Sequence, residues 1–223
     1  WGHVIVRAEG ADRVRRATIA PAGPDWSPAG PERTYEVDAV CTAYGFLPSV
    51  ELARALGCAL DGEAVAHDER MRTSVANVYV AGEAAGVGGA DLAVVEGEIA
   101  GHAAAGRPVP AELTARRAKL AGFARILSEL FDPRPGLMRL AGADTVLCRC
   151  EDVTAGELDA AVAAGHTTMA ALKIVTRCGQ GPCQGRVCER LIAERLPEPE
   201  RFSARAPVRP VGLDVLMDSS STA

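Results

Sequence analysis

The sequence predicts an α/β segment followed by a small, mostly α-helical domain, and three observations carry that prediction. Up to Ala105, strand-like and helix-like runs alternate across glycine-rich turns. Beyond Ala111, apolar residues fall mostly at helical spacing, with capping signals at the ends of the runs. Five of the seven cysteines lie between Cys148 and Cys188.

Composition narrows the class. With 223 residues, 48% of them hydrophobic, the chain can bury a core. A net charge of -5 with scattered arginines argues against a nucleic-acid binder. No run approaches the roughly eighteen apolar residues of a membrane span, and no basic start followed by an apolar run marks a secretion signal. A cytoplasmic protein is expected. An odd, clustered cysteine count then reads as metal ligation or redox chemistry rather than a secreted disulfide framework.

The elements follow in order. Residues 3 to 9 and 13 to 20 mix β-branched and polar residues around Gly10-Ala11-Asp12, a hairpin signal. Pro21 to Pro31 is a Pro- and Gly-rich loop around Trp26. Residues 35 to 44 read as a strand that becomes apolar toward its end, as a strand entering a covered sheet does. It stops at Gly45-Phe46-Leu47-Pro48. Ser49 as N-cap and Gly57 frame a short helix over 49–56. Residues 77 to 81 form a short apolar strand, 82 to 89 a glycine-rich turn, and 90 to 105 an alanine-rich helix.

After the linker Arg107-Pro108-Val109-Pro110, the spacing of Leu113, Leu120, Phe123, Leu127 and Leu130 predicts an amphipathic helix ending near Asp132-Pro133. Thr154-Ala155-Gly156-Glu157 is a capping box opening a helix that Gly165 closes. A second helix runs from Thr168 to Thr176, closed by Gly179, and a third from Arg186 to Leu196, ended by Pro197. The rest reads as an extended tail.

Two groups of thiols carry the chemistry. Cys148-Arg149-Cys150 follows an apolar run, so extended backbone there puts both sulfurs on one side. Cys178, Cys183 and Cys188 are spaced five apart, about 140° around a helix, so at least one must sit in a loop. Gly179, Gly181 and Gly185 let that loop turn sharply, Pro182 stiffens it, and Arg177 and Arg186 can offset thiolate charge. A Cys188 in the first turn of the last helix would gain from the helix dipole. Four thiolates in a 2+2 arrangement suit tetrahedral zinc or a [2Fe–2S] cluster; zinc knuckles usually use C-x2-C to C-x4-C pairs, and C-x-C is less usual there.

In the first half, Val80-Ala81-Gly82-Glu83 delivers an acidic side chain at the C-terminal end of a strand, where α/β folds bind cofactors. Such a group can accept a hydrogen bond from a ribityl hydroxyl of FAD, with the helix starting near Ala90 pointing its positive end toward the flavin ring; the alternative is an ordinary strand-turn-helix with a surface Glu83.

Cys148-Arg-Cys150-Glu-Asp-Val-Thr154, Leu172-Lys173-Ile-Val-Thr176-Arg177 and Gly181-Pro-Cys183-Gln-Gly-Arg-Val-Cys188 closely resemble the [2Fe–2S] module of the bacterioferritin-associated-ferredoxin (BFD) type. More narrowly, they are similar to the version fused to the flavoprotein subunit of hydrogen cyanide synthase, opine oxidases and heteromeric amino-acid dehydrogenases. The resemblance implies Cys148, Cys150, Cys183 and Cys188 as cluster ligands, because the Cys-Gln-Gly-Arg-x-Cys string carries it, and leaves Cys178 as a spare or structural thiol. Ala43-Tyr-Gly45-Phe-Leu-Pro48 and Thr73 to Glu83 resemble motifs of the pyridine nucleotide-disulphide oxidoreductase superfamily, which implies Gly82 and Glu83 as FAD contacts. That superfamily's two G-x-G-x-x-G loops are missing; Gly86-Val-Gly88-Gly-Ala-Asp91 fails at the last position.

Together with the first residue, Trp1 rather than Met, this sets the expectation of a C-terminal half of a longer flavoprotein. Residues 1–44 end an NAD(P)-like domain, 45–106 complete the FAD-binding Rossmann-like domain, 107–146 are a helical linker, 147–196 the BFD-like domain and 197–223 the tail. The resemblance implies an electron-transfer subunit of an amine, amino-acid or opine dehydrogenase or oxidase, with no catalytic acid or base of its own. Its implied partners are the N-terminal half and a second, flavin-containing catalytic subunit. The alternative is a zinc-stabilised interaction module on a degenerate α/β domain.

The four histidines have no partner at ligand spacing, and Cys41 and Cys58 read as small buried side chains. Arg205-Ala-Pro207-Val-Arg209-Pro210 resembles the segment following the cluster in the fused family. FAD is expected to bind poorly to the 223-residue chain alone; absorbance of the purified chain checks this, and stoichiometric yellow flavin overturns it.

Overall fold

The computed structural model of the chain describes residues 2–131, 133–198, 201–202, 208 and 211–214. Trp1, most of the expected tail and most of the 205–210 segment lie outside them. The chain divides into two compact units, one made by Trp1–Thr42 with Pro133–Ser203, the other by Ala43–Asp132.

The first unit begins with an antiparallel sheet in the order β1 (His3–Glu9), β2 (Arg16–Pro21), β3 (Arg33–Glu36). His3 pairs with Pro21 and Glu9 with Arg16, with a register shift between Ile5 and Arg7. The hairpin connection is longer than the glycine signal suggests and closes through Arg15 N–H to the Glu9 carbonyl, 2.8 Å. A Cβ on Gly10 would lie 1.8 Å from the Arg13 carbonyl oxygen, so only glycine passes there. Val4, Ala17 and Ala20 are buried, and buried Thr18 shares a hydroxyl hydrogen bond with Thr34 at 3.0 Å.

The strand expected over 35–44 ends at Glu36. Glu36 pairs with Arg16, the first residue of β2; the Val37 N–H still reaches the Arg15 carbonyl at 2.9 Å, but past it β2 offers no further partner. Tyr35 and Tyr44 are therefore half exposed, and Cys41, expected in a core, is exposed.

In the 21–31 loop, Ser27 donates from its backbone and hydroxyl to Asp25, holding the Asp25 carboxyl below its ordinary range. This loop receives the 3₁₀ turn Pro135–Leu140: Gly136 N–H donates to the Asp25 carbonyl at 2.8 Å, and Arg139 bonds Asp25 and the Ser27 hydroxyl. A side chain on Gly136 would collide with Ser27 N at 2.3 Å.

The second unit holds α1 (Glu51–Ala55), the short pair β4 (Leu60–Asp61) and β5 (Ala64–Val65), α2 (Ala90–Ala104) and α3 (Ala111–Phe131). Val50, not Ser49, occupies the N-cap of α1, because the Ser49 hydroxyl is taken by the Glu51 carboxylate at 2.7 Å. Gly57, at φ +82°, follows the helix as expected. Residues 77–81 are not a strand: they make one bridge, Arg72 to Tyr79, across a tight turn in which Thr73 Oγ1 donates to the Val78 carbonyl. The side chain of Thr73 closes the loop before a ladder can grow.

Met71, Val95 and Ile99 form the core between α2 and α3, packed by Leu113 and Leu120; a second core holds Val50, Cys58 and Val65. Along α3 only Ala124 is buried, and Phe123, Ile126 and Leu130 stay more than half exposed.

One buried charge ties this unit together. Glu96 of α2 is 4% exposed; one carboxylate oxygen accepts from the Gly82 N–H at 3.1 Å and the other from Arg117 Nε of α3 at 3.2 Å.

The remainder of the first unit carries the cysteines. A two-stranded pair, β6 (Val146–Cys148) and β7 (Val153–Thr154), leads into α4 (Ala155–Ala163), α5 (Met169–Thr176) and α6 (Glu189–Ala193). Both halves of the Thr154–Glu157 capping box form, at 3.3 and 2.8 Å, and the Thr154 N–H and hydroxyl, both donating to the Glu157 carboxylate, lower its pKa. Thr168 caps α5. That helix closes on Arg177 at φ +66° rather than on Gly179, and α6 is shorter than expected, starting after Cys188.

Replacing Glu96 by Ala leaves the Arg117 guanidinium and the Gly82 N–H without their partner. Its unit is expected to lose about 3 kcal/mol, read as an earlier urea transition in circular dichroism, and Glu96→Gln is expected to lose less.

Candidate metal centre

The five clustered thiols sit in different surroundings. Cys148, Cys178 and Cys188 are buried in one core with Leu158, Leu172 and Ile192; Cys183 is half-buried and Cys150 exposed. The expectation of extended backbone through Cys150 fails. Strand β6 ends at Cys148 after a register shift, and residues 149–152 form a turn with Asp152 at φ +52°. Cys148 therefore faces the core while Cys150 reaches the surface.

The two groups meet. A Cβ on Gly181 of the loop would overlap Cys150, and Cys148 and Cys188 belong to one buried cluster. The thiols of Cys150 and Cys183, and those of Cys148 and Cys188, are near enough to perturb each other's ionisation.

Burial raises the Cys188 thiol pKa, and the neighbouring Cys148, Cys183 and Cys178 add to it; burial likewise raises Cys178. Burial opposes ionisation of Cys183 too, but N–H groups of Val187, Gly185 and Arg186 and the Cys150 thiol outweigh it and pull its pKa down. Cys150 gains a hydrogen bond from the Cys183 N–H, yet the Cys183 sulfur, partial burial and Cys148 together push its pKa up.

The loop is built for close approach. A Cβ on Gly181 would lie 2.2 Å from Cys150 Cβ, so glycine lets the loop touch the C-x-C turn. Gly179 and Gly185 take φ +72° and +86°, and a Cβ on either would strike the ring of Phe202 at 2.5 and 2.4 Å. Of the two arginines expected to offset charge, Arg186 donates to the Cys183 carbonyl at 3.0 Å, and Arg177 is paired with Glu151 at 2.8 Å on the surface.

Among the described residues, no group of three or more His, Cys, Asp or Glu side chains is gathered closely enough to hold a metal ion. Thiols offered by a turn and a facing loop are donors that suit a two-iron cluster, whose irons each take two sulfurs from protein, and also tetrahedral zinc.

In the other unit, Gly82 opens a 3₁₀ turn, Gly82–Ala85, at φ +68°, its Cβ position 3.2 Å from Ala93 Cβ. Glu83 is exposed on that turn, before the start of α2 at Ala90. Two residues of evident importance were not singled out in the sequence. Glu96 falls on the same stripe of α2 as Leu92, Ile99 and Ala103, and a carboxylate on a buried stripe is a readable signal. Phe202 has no local signal, because its contacts lie far back in the chain. His67 bonds the adjacent Asp68 carbonyl and joins no ligand group. An open depression of about 540 Å³, lined by Glu9, Gly10, Arg15, Arg16, Glu36, Val37 and Asp38, contains no cysteine.

Comparison with known proteins agrees with this geometry. Residues 13–107 match the pyridine nucleotide-disulphide oxidoreductase family, whose fold binds FAD and NAD, and residues 146–198 match the BFD-like [2Fe-2S] binding domain. One chain thus joins a part similar to that oxidoreductase family and a part similar to the [2Fe-2S] binding domain. The chain is similar to an opine oxidase subunit of Rhizobium meliloti (strain 1021), 38% identical over 78% of this chain and 42% of that one. It is also similar to the corresponding opine oxidase subunit of Agrobacterium tumefaciens (33%; 86% and 43%) and to hydrogen cyanide synthase subunit HcnB of Pseudomonas aeruginosa (33%; 88% and 45%). The chain spans less than half the length of these relatives.

Gly181→Ala is expected to push the loop off Cys150 and lower iron and acid-labile sulfide per chain, measured by colorimetric assay, while far-ultraviolet circular dichroism stays unchanged.

Proposed function

We propose that this chain is the electron-transfer part of a heteromeric amine, amino-acid or opine dehydrogenase or oxidase, and that Cys148, Cys150, Cys183 and Cys188 hold its [2Fe–2S] cluster. The meeting of the C-x-C turn with the glycine loop, where a Cβ on Gly181 would overlap Cys150 and where Cys148 and Cys188 share one buried cluster, is the observation that carries this reading. When bound, the cluster exchanges single electrons and FAD exchanges pairs.

The chain's own residues supply position and environment. Cys148 and Cys188 anchor the centre in the core, and exposed Cys150 with half-buried Cys183 leaves one side open to an electron partner. The N–H groups around Cys183 favour its thiolate at loading. Gly82 and Glu83 are the FAD contacts in this reading: Glu83 accepts a ribityl hydroxyl, and Glu96 fixes the turn through the Gly82 N–H. The Rossmann-like FAD domain then ends near residue 106, residues 107–146 connect, and residues 147–196 are the mostly helical cluster domain.

No residue here is assigned as acid or base toward substrate. Substrate oxidation belongs to a second subunit, in keeping with relatives that are named as subunits. The rest of the FAD site belongs to an N-terminal half. No described helix is long and apolar enough to cross a membrane, and the cytoplasm is the proposed compartment.

The purified chain is expected to be brown, with two irons and two sulfides and an EPR signal on reduction. Cys183→Ser and Cys188→Ser are expected to abolish the signal and Cys178→Ser to keep it. A colourless chain that yields zinc overturns the reading; loss of the signal in Cys178→Ser overturns the ligand set.

A further inference from the structure

Phe202 lies beyond the last helix, yet it is only 8% exposed and belongs to the same buried cluster as Cys148, Cys178 and Cys188. Its ring rests on the cysteine loop at the two places where that loop has no side chain. The nearest ring carbons are 2.5 Å from a Cβ position on Gly179 and 2.4 Å from one on Gly185. Both glycines have positive φ and are themselves buried. Glycine at 179 and 185 is therefore required twice over, for the turn and for the ring.

The ring is held from three directions. The Phe202 N–H donates to Glu189 Oε1 at 2.6 Å, and Arg201 pairs with the other oxygen of Glu189 at 3.3 Å. Glu189 is the first residue of α6, directly after Cys188. The Lys173 ammonium stands 5.4 Å from the ring centroid, a cation–π distance.

We propose that Phe202, with Lys173 over its ring, tunes the iron–sulfur centre: the ring clamps the 179–185 loop and excludes water, so that it sets both the reduction potential and the retention of iron. This rests on the [2Fe–2S] reading above. A thiolate-ligated cluster gains one negative charge on reduction, so its potential answers to solvent access and to fixed charge nearby. Opening the clamp admits water, which favours the more charged, reduced form and moves the potential positive. Removing the Lys173 charge disfavours that form and moves the potential negative. The opposite signs separate tuning from simple damage to the fold.

The test is an EPR-monitored redox titration of the cluster-loaded chain, with release of iron to a ferrous chelator followed separately, for Phe202→Ala, Phe202→Leu and Lys173→Met. Phe202→Ala is expected to shift the potential positive and to speed iron release about tenfold or more, in line with loss of a buried aromatic ring. Phe202→Leu is expected to fall between it and the native chain. Lys173→Met is expected to shift the potential negative with little change in release. If Phe202→Ala fails to load, Phe202→Leu and Lys173→Met decide. Unchanged potentials, or shifts of one sign in the Phe202 and Lys173 variants, overturn the inference while a native [2Fe–2S] signal keeps the cluster reading standing. A native chain without that signal overturns both.

Discussion

The cysteine-bearing unit depends on a loop whose path admits no side chain at three places. Gly179 and Gly185 face an aromatic ring and Gly181 faces Cys150, each at a distance where a Cβ would overlap its neighbour. Those close approaches bring a surface turn and a buried strand end to the same place. Cys150 and Cys148 are only two residues apart, but one is exposed and the other buried. A loop held further off would meet one of them and miss the other. The helices around it serve the same end: the Thr154–Glu157 box fixes the start of α4 just after the C-x-C turn, and Thr168 fixes α5, whose left-handed close at Arg177 aims the chain into the loop.

The other unit solves a related problem with a charge. A glycine turn has few contacts of its own and needs an external hold. Glu96 provides it by reaching from α2 to the Gly82 N–H while Arg117 of α3 compensates its buried charge. A buried ion pair contributes little net stability against an apolar pair of the same shape. Its value lies in geometry: it fixes where a backbone N–H points and which way α3 crosses α2.

What was legible in the sequence was local. The hairpin, the long helices α2 and α3, the capping box and the Thr168 cap all rest on side chains within four residues of the backbone they satisfy. Ser49 shows the limit even there, since a neighbouring Glu51 outcompeted the backbone for its hydroxyl. The strands expected over 35–44 and 77–81 failed because a strand is a property of its neighbours. Past Val37 the partner strand β2 has run out, and Thr73 closes its own loop. The proposed cluster ligands were named from a motif, whereas the meeting of their two groups and the place of the Phe202 ring depend on contacts between residues well separated in the chain and left no periodic trace.

The meeting of turn and loop also gives the thiol group two unlike sides. Cys148 and Cys188 lie within the apolar core, whereas Cys183 is half-buried beside loop N–H groups and Cys150 is exposed. Negative charge is better accommodated on the second side, because backbone dipoles and water both stabilise it there and the core does neither. That difference comes from the placement of one turn and one glycine loop rather than from the arginines, since Arg177 is committed to Glu151 and Arg186 to the Cys183 carbonyl.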